Sequence, residues 1–183
     1  MLLQRSALFC VCLFVAWVHL VESTEIWIDV PFVKQNENRC GAAVISMVVQ
    51  YWSRENGSTT SFPSDPAVME RALYSDEAKG IYASDMERYF QDHGFQVFAF
   101  AAAWSDLEQH LSKGRPLIAA IAANGKGGPL HYVVVVGIDT QQGVLLINDP
   151  AERKLLKMKR SEWEKIWKPA GYWTLLAVPK NAN

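Results

Sequence analysis

The sequence has few cysteines, no long apolar segment and no excess of either charge. Only three of its 183 residues are cysteine, and two of them, Cys10 and Cys12, lie in an apolar stretch near the N-terminus. This is too few to build the disulfide framework of a small secreted domain. The apolar stretch, Ala7 to Val18, is shorter than the roughly 20 residues that a membrane-spanning helix needs. Because the net charge is −1 and no basic stripe stands out, we expect no nucleic-acid binding.

The N-terminal residues have the pattern of a secretory signal peptide. Arg5 supplies a positive start, the apolar stretch follows, and Val21 to Ser23 offers small or β-branched residues where a signal peptidase would cut. We therefore expect residues 1–23 to be a signal peptide and the protein to be exported, to the periplasm of a bacterium or beyond the cell. A retained N-terminal anchor is the alternative. After cleavage, no stable insertion into a membrane is expected.

Residues 24–183 have the length of one domain, and half of all residues in the chain are apolar, enough to bury a sizeable core. No repeat, low-complexity tract or long linker divides this region. No group of cysteines and histidines has the spacing of metal ligands, so we expect neither a metal nor another cofactor. We also expect a monomer.

Apolar periodicity and turn residues divide the chain into helices and strands. The predicted strands are Ile26 to Val33, Phe95 to Ala101, Pro116 to Ala123, Tyr132 to Ile138, Val144 to Ile147 and Tyr172 to Val178. The predicted helices are Cys40 to Trp52, Pro66 to Tyr74 and three shorter ones, which Ser84, Ser105 and Ser161 are expected to cap. Helices mostly precede strands, which predicts an α+β fold with an N-terminal helical layer on a C-terminal antiparallel sheet.

Cys40 is the one cysteine that remains after the expected cleavage, and it stands where a helix is predicted to begin. An unpaired thiol is unusual outside the cytosol, where cysteines are oxidised or paired. The free N–H groups of a helix N-terminus favour a thiolate, and a neighbouring imidazolium would favour it further. The small residues that follow, Gly41 to Ala43, allow close approach of another segment. We therefore predict that Cys40 is a nucleophile.

Three further residues complete a candidate site. His131 opens an apolar strand and Asp149 ends the next one, so a hairpin turn near Thr140 would place them within about a residue of opposition. The carboxylate would then orient the ring and stabilise the imidazolium. Gln35 precedes the nucleophile, and its amide and the Cys40 backbone N–H could form an oxyanion hole. Each residue alone has an ordinary structural explanation, so the ordered set is the signal.

With these residues identified, the chain resembles the double-glycine peptidase domains that process bacteriocin leaders, a papain-like group. The resemblance covers roughly Val30 to Val178 and is strongest in VPFVKQNENRCGAAVISMVVQYW, HYVVVVGID, VLLINDPA and SEWEKIW. It implies a papain-like fold and a cysteine peptidase acting on peptides or proteins. It also implies that Cys40 is the nucleophile, His131 the general base, Asp149 its orienting acid and Gln35 the oxyanion glutamine.

The chain departs from that group in two respects. The leader peptidases are typically cytosolic domains fused to a transporter, whereas this chain carries an apparent export signal. Arg39 stands where the group often has an acidic residue. The thiol chemistry therefore carries over better than the double-glycine specificity. Two alternatives remain: an acyltransferase or amidase that uses the same triad, and a non-catalytic peptide-binding or assembly module in which Cys40 is inert or forms an intermolecular disulfide.

Overall fold

The computed structural model describes residues 25–37, 39–55, 63–122 and 129–180. The expected signal peptide therefore lies outside the described residues. The helices are α1 (Cys40–Glu55), α2 (Pro66–Leu73), α3 (Ala83–Asp92), α4 (Trp104–Leu111) and α5 (Arg160–Trp167), with a 3-10 turn at Lys168–Ala170. The strands are β1 (Glu25–Trp27), β2 (Phe95–Ala101), β3 (Leu117–Ile121), β4 (His131–Asp139), β5 (Val144–Asn148), β6 (Leu156–Lys159) and β7 (Trp173–Pro179). No helix in these ranges is long and apolar enough to cross a membrane.

The strands form one antiparallel sheet in the order β2-β7-β3-β4-β5-β6, and β1 pairs with the end of β4. Every residue of β3 and all residues of β4 between its two ends are buried, so both faces of the sheet centre are covered. Helix α1 packs against β4 and α5 packs against β3. This is the expected α+β architecture: helices pack on an antiparallel sheet, and the nucleophile candidate is the first residue of α1.

Glycine is required where β1 crosses β4. A Cβ atom on Gly137 would lie 2.7 Å from both the Ile26 carbonyl oxygen and a methyl carbon of Leu146. The ladder between β4 and β5 shifts register between Val135 and Gly137, which is a β-bulge. The bulge and the absent side chain together let the N-terminal strand approach the backbone of β4.

The predicted strand over residues 26–33 is too long, because regular pairing ends at Trp27. Ile28 still donates to the Val136 carbonyl at 2.8 Å, but Val30 donates to the Ile28 carbonyl at 2.9 Å, which turns the backbone away from the ladder. The residue after Val30 is Pro31, which has no N–H to offer a neighbouring strand. The segment 28–35 therefore runs irregularly along the sheet toward the site.

Three predicted helix caps are also wrong. The N-cap residues are Tyr82 in α3, Ala103 in α4 and Lys159 in α5, each ahead of the predicted serine. In α4 the Asp106 carboxylate accepts the Ala103 N–H at 2.7 Å, so the acidic half of a capping box is present with alanine at the cap. Strand β6 was not predicted at all. Its four residues alternate between half-buried and exposed over too short a length to give a clear pattern.

Candidate active site

Cys40 begins α1, the most deeply buried helix described. The Ala43 N–H donates to the Arg39 carbonyl at 3.4 Å. The N–H groups of the first turn of a helix, which here begins with Cys40, have no carbonyl partner within the helix. The far end of α1 is fixed by two side chains: Tyr51 Oη donates to the Gly114 carbonyl at 2.7 Å and Trp52 Nε1 to the Ala177 carbonyl at 2.9 Å. A rigid helix thus presents a half-buried thiol at its positive end.

Gly41 lets a second segment pack directly behind the thiol. A Cβ atom at this position would lie 2.9 Å from Ile81 Cβ, a distance that real Cβ atoms essentially never show. Ile81 is buried and precedes α3, so its side chain fills the space that any larger residue 41 would occupy. The small residue after the nucleophile is therefore explained by close packing, as the sequence predicted.

Arg39, immediately before Cys40, is held by α2 and its C-cap residue. Its guanidinium forms an ion pair with Glu70, and it lies 5.2 Å from the centre of the Tyr74 ring. Both partners belong to α2 or its C-cap. The basic residue at this position is thus paired and stacked within the fold.

His131 and Asp149 are in direct contact. His131 Nε2 lies 2.7 Å from Asp149 Oδ1, and the two side chains are only 17% and 10% exposed. The Asp149 carboxylate also accepts the Ala151 N–H at 2.9 Å, which fixes it in the turn after β5. Because Nε2 is engaged by the carboxylate, Nδ1 is the ring nitrogen left for the thiol.

The predicted opposition of His131 and Asp149 is wrong by two residues. The ladder pairs Val134 with Asn148, so one further step would set Asp149 against Val133. The hairpin turn is centred between Gln141 and Gln142 and not at Thr140, since Asp139 pairs with Val144, and this alone would set Asp149 against Val134. The bulge in β4 moves the pairing one residue back toward His131. The side chains of residues two apart on a strand point to the same face, so His131 still reaches the carboxylate diagonally.

The contacts of His131 favour its protonated form. Burial alone would lower the pKa of His131, but hydrogen bonds to Asp149 and Cys40 and the negative charge of both partners raise it to about 9. Burial likewise raises the pKa of Asp149, and this is outweighed by the hydrogen bond and charge of His131 and by N–H groups of the turn, so the net direction is downward. At neutral pH the pair is therefore an imidazolium and a carboxylate, with the Cys40 sulfur beside the imidazolium.

Gln35 is anchored to the same end of the sheet. Its backbone N–H donates to the Pro150 carbonyl at 3.0 Å, one residue beyond Asp149. Its side-chain Nε2 donates to the Glu37 carbonyl, and Glu37 itself has the left-handed φ of 47° that is uncommon for residues other than glycine. Oε1 of Gln35 is buried without a hydrogen-bond partner among the described residues. One N–H of the amide is thus bonded within the loop.

Sequence reasoning missed Asn148, a fully buried polar residue next to Asp149. Its amide is bonded to two separate segments of the chain. The signal was present in the sequence, because a polar residue closing an otherwise apolar strand needs a hydrogen-bond partner when it is buried. No group of three or more potential metal ligands occurs in the described ranges.

The geometry can be set beside known proteins. The model of the Peptidase_C39 like family matches residues 27–174 of the chain. No protein with a curated description matches the sequence.

Three solved structures illustrate the likeness in fold. A protein from Bacillus anthracis described as a C39-like peptidase has a TM-score of 0.66 and 15% identity, over 84% of this chain and 97% of that one. A double glycine motif protease from an AMS/PCAT transporter, solved with the leader peptide, gives 0.62 and 20%, over 84% and 94%. The peptidase domain of Streptococcus ComA, a bi-functional ABC transporter involved in quorum sensing, gives 0.60 and 22%, over 81% and 97%.

Proposed function

The chain belongs to the Peptidase_C39 like family, and on that premise we propose that it is an exported cysteine peptidase that uses Cys40, His131, Asp149 and Gln35. One observation carries the proposal. A buried histidine, bonded at 2.7 Å to a buried carboxylate, has a pKa raised to about 9 beside a thiol at a helix N-terminus. A thiolate–imidazolium pair is the ground state from which cysteine peptidases attack a carbonyl.

In the first half of the reaction, the Cys40 sulfur attacks the carbonyl carbon of the scissile peptide bond. The carbonyl oxygen becomes an oxyanion, which the Cys40 backbone N–H and the second N–H of the Gln35 amide stabilise. His131 gives the proton on Nδ1 to the leaving nitrogen, the C–N bond breaks, and an acyl-thioester remains. Asp149 holds Nε2 throughout, so that the ring presents Nδ1 to the thiol and its positive charge is compensated.

In the second half, water attacks the thioester carbonyl while His131 Nδ1 accepts the water proton. The C–S bond breaks, the carboxylic product leaves, and the thiolate and imidazolium are restored. The cycle consumes one water molecule per peptide bond. It needs no electron transfer, and we propose that no cofactor takes part.

We infer that the substrate is a peptide or protein outside the cytosol and that the enzyme acts as a monomer. The protease solved with a leader peptide shares this fold, which supports a peptide substrate here. Export follows from the signal-peptide pattern of residues 1–23, and the intact mass of protein recovered from the periplasm or medium is expected to lack them. Recovery of full-length protein in the membrane fraction would instead indicate a retained anchor.

Alkylation of Cys40 by iodoacetamide as a function of pH tests the site, in the protein without residues 1–23 and in its His131→Ala variant. We expect fast labelling that persists well below pH 7 and is lost in the variant.

The Cys40→Ser variant is expected to lose turnover of a mixed peptide library and to keep the wild-type fold, as measured by circular dichroism. An ordinary thiol profile in both proteins would refute the thiolate–imidazolium pair, and a Cys40-dependent dimer on a non-reducing gel would favour the assembly module. Transfer of the acyl group to added amines would identify an acyltransferase.

A further inference from the structure

Asn148 is a buried amide whose two ends bond different parts of the chain. The residue has no exposed surface. Its Nδ2 donates to the Val30 carbonyl at 3.2 Å, and its Oδ1 accepts the Leu155 N–H at 3.0 Å. Both segments lie outside the regular ladder of β5, to which Asn148 belongs. The side chain therefore joins three segments that no regular strand pairing connects at this point.

One of those segments leads to Gln35. Val30 lies in the irregular stretch 28–35, which is bonded to β4 at its start through Ile28 and to the turn after β5 at its end through Gln35. The bond from Asn148 is the intermediate attachment. It fixes the stretch to the end of β5, and this stretch carries Gln35 as its last residue.

The other segment is the loop that holds Asp149. The Asp149 N–H donates to the Arg153 carbonyl at 3.2 Å, and the Asp149 carbonyl accepts the Glu152 N–H at 3.1 Å. Leu155 closes the loop with a φ of 55°, a left-handed conformation that costs free energy for a residue other than glycine. Its N–H is the one that Asn148 accepts. The Asn148 amide thus fixes the loop at Leu155, whose backbone has the unfavourable left-handed conformation.

We propose that Asn148 is a positioning residue. It fixes the Asp149 loop and the Gln35 segment relative to each other and so keeps the Asp149 carboxylate oriented toward His131. The inference rests on the proposed function, because it assigns Asn148 to the same site. A neutral amide offers its donor and its acceptor on two separate atoms at the end of a short side chain, so one residue can bond both segments. Aspartate would lose the donor to Val30 and place a second negative charge beside Asp149. Leucine, with the same shape, would leave both backbone groups unsatisfied.

The test compares Asn148→Leu with Thr174→Val. Thr174 is also fully buried, and its hydroxyl donates to the Tyr172 carbonyl at 3.1 Å within the β7 end of the sheet. Both substitutions keep the side-chain shape and remove buried polar atoms, so both are expected to lower the melting temperature. The measurement is the His131 titration midpoint by NMR of protein labelled at its histidine rings, together with kcat/KM on a cleaved peptide.

We expect Asn148→Leu to lower the His131 midpoint by at least about one pH unit and kcat/KM by about 10- to 100-fold, the loss typical of a small misplacement of catalytic groups. Thr174→Val is expected to leave both at the wild-type values. A folded Asn148→Leu protein with a wild-type midpoint would overturn the proposal, and so would an equal shift in Thr174→Val. If Asn148→Leu fails to fold, Asn148→Asp replaces it. This variant keeps the bond to Leu155, so a kcat/KM within about twofold of wild type would show that the Val30 attachment has no positioning role.

The midpoint separates this inference from the proposed function. His131 titrates whether or not a peptide is cleaved, so the role of Asn148 is readable in a protein without peptidase activity. Absence of turnover and of fast Cys40 alkylation would refute the peptidase. An unmoved His131 midpoint in a folded Asn148→Leu protein would refute only the positioning role.

Discussion

The Asp149→Asn substitution removes the negative charge that faces His131 while keeping an oxygen of the same reach. In the wild-type protein Asp149 Oδ1 lies 2.7 Å from His131 Nε2, and both side chains are largely buried. The imidazolium then loses its carboxylate partner in a site where water cannot replace it. We therefore expect the pKa of His131 to fall.

The size of the fall can be bounded from the structure. The pKa of His131 rises from 6.5 to about 9 although burial alone would lower it. That rise corresponds to about 3 kcal/mol in favour of the protonated ring, and its polar partners must supply more than this to overcome burial. Asp149 and Cys40 both stabilise the protonated ring, and the hydrogen bond to Asp149 raises the pKa of His131 more than the hydrogen bond to Cys40 does. Losing half of this free energy costs about 1–2 kcal/mol, which lowers the midpoint by about one pH unit.

The assay is an NMR titration of the histidine rings in wild type, Asp149→Asn and Asp139→Asn. Asp139 ends the same strand that His131 begins, and its carboxylate accepts the Gln141 and Gln142 N–H groups at 3.0 and 2.9 Å, far from the site. The same loss of charge there is expected to leave the His131 midpoint unchanged. A midpoint in Asp149→Asn that stays within about 0.3 pH units of wild type, well short of the expected shift, would refute the claim that this carboxylate holds the proton.

Two further predictions concern the stability of the site. Gly41→Ala is expected to lower the free energy of unfolding by about 1–3 kcal/mol in urea titrations, because the new Cβ would lie 2.9 Å from Ile81 Cβ. Gly80→Ala, whose Cβ would meet nothing nearer than 3.9 Å, is the control, and an equal loss there would contradict the packing argument. Stability should also fall as pH rises from about 6.5 through about 9, since a folded-state pKa above the unfolded value stabilises the fold only while the ring is protonated. In His131→Gln this part of the pH dependence should disappear, and its persistence would assign the slope to other groups.

The sequence predicted the larger elements because their apolar periods were long enough to read. Helix α1 begins at Cys40 as predicted, and β2 spans Phe95–Ala101 as predicted. The capping serines were misleading because a helix start depends on which backbone N–H groups are left free, and Asp106 satisfies one from inside α4. Strand β6 pairs with the preceding strand β5 but is too short to show a clear period. The irregular course of residues 28–35 depends on contacts with β4 and with the turn after β5, which no local pattern encodes.

The membership of the candidate site was easier to predict than its geometry. The contact between His131 and Asp149 was expected, but the register was not, because the hairpin turn is centred beyond Thr140 and the bulge near Gly137 then shifts the pairing back by one residue. The Gln35 amide bonded to Glu37 likewise depends on a left-handed residue that sequence alone does not reveal. Short-range signals therefore point to candidate residues, whereas long-range packing fixes their positions.

The order of the candidate site residues along the chain has a consequence for when the site can assemble. Cys40 lies near the N-terminus, while β4, β5 and the turn that holds Asp149 come from the last third of the chain. A ribosome makes the nucleophile long before its partners, and contacts between such distant residues form late in folding. The emerging chain therefore carries only an ordinary thiol, and the reactive pair can arise only once the closing hairpin has joined the sheet.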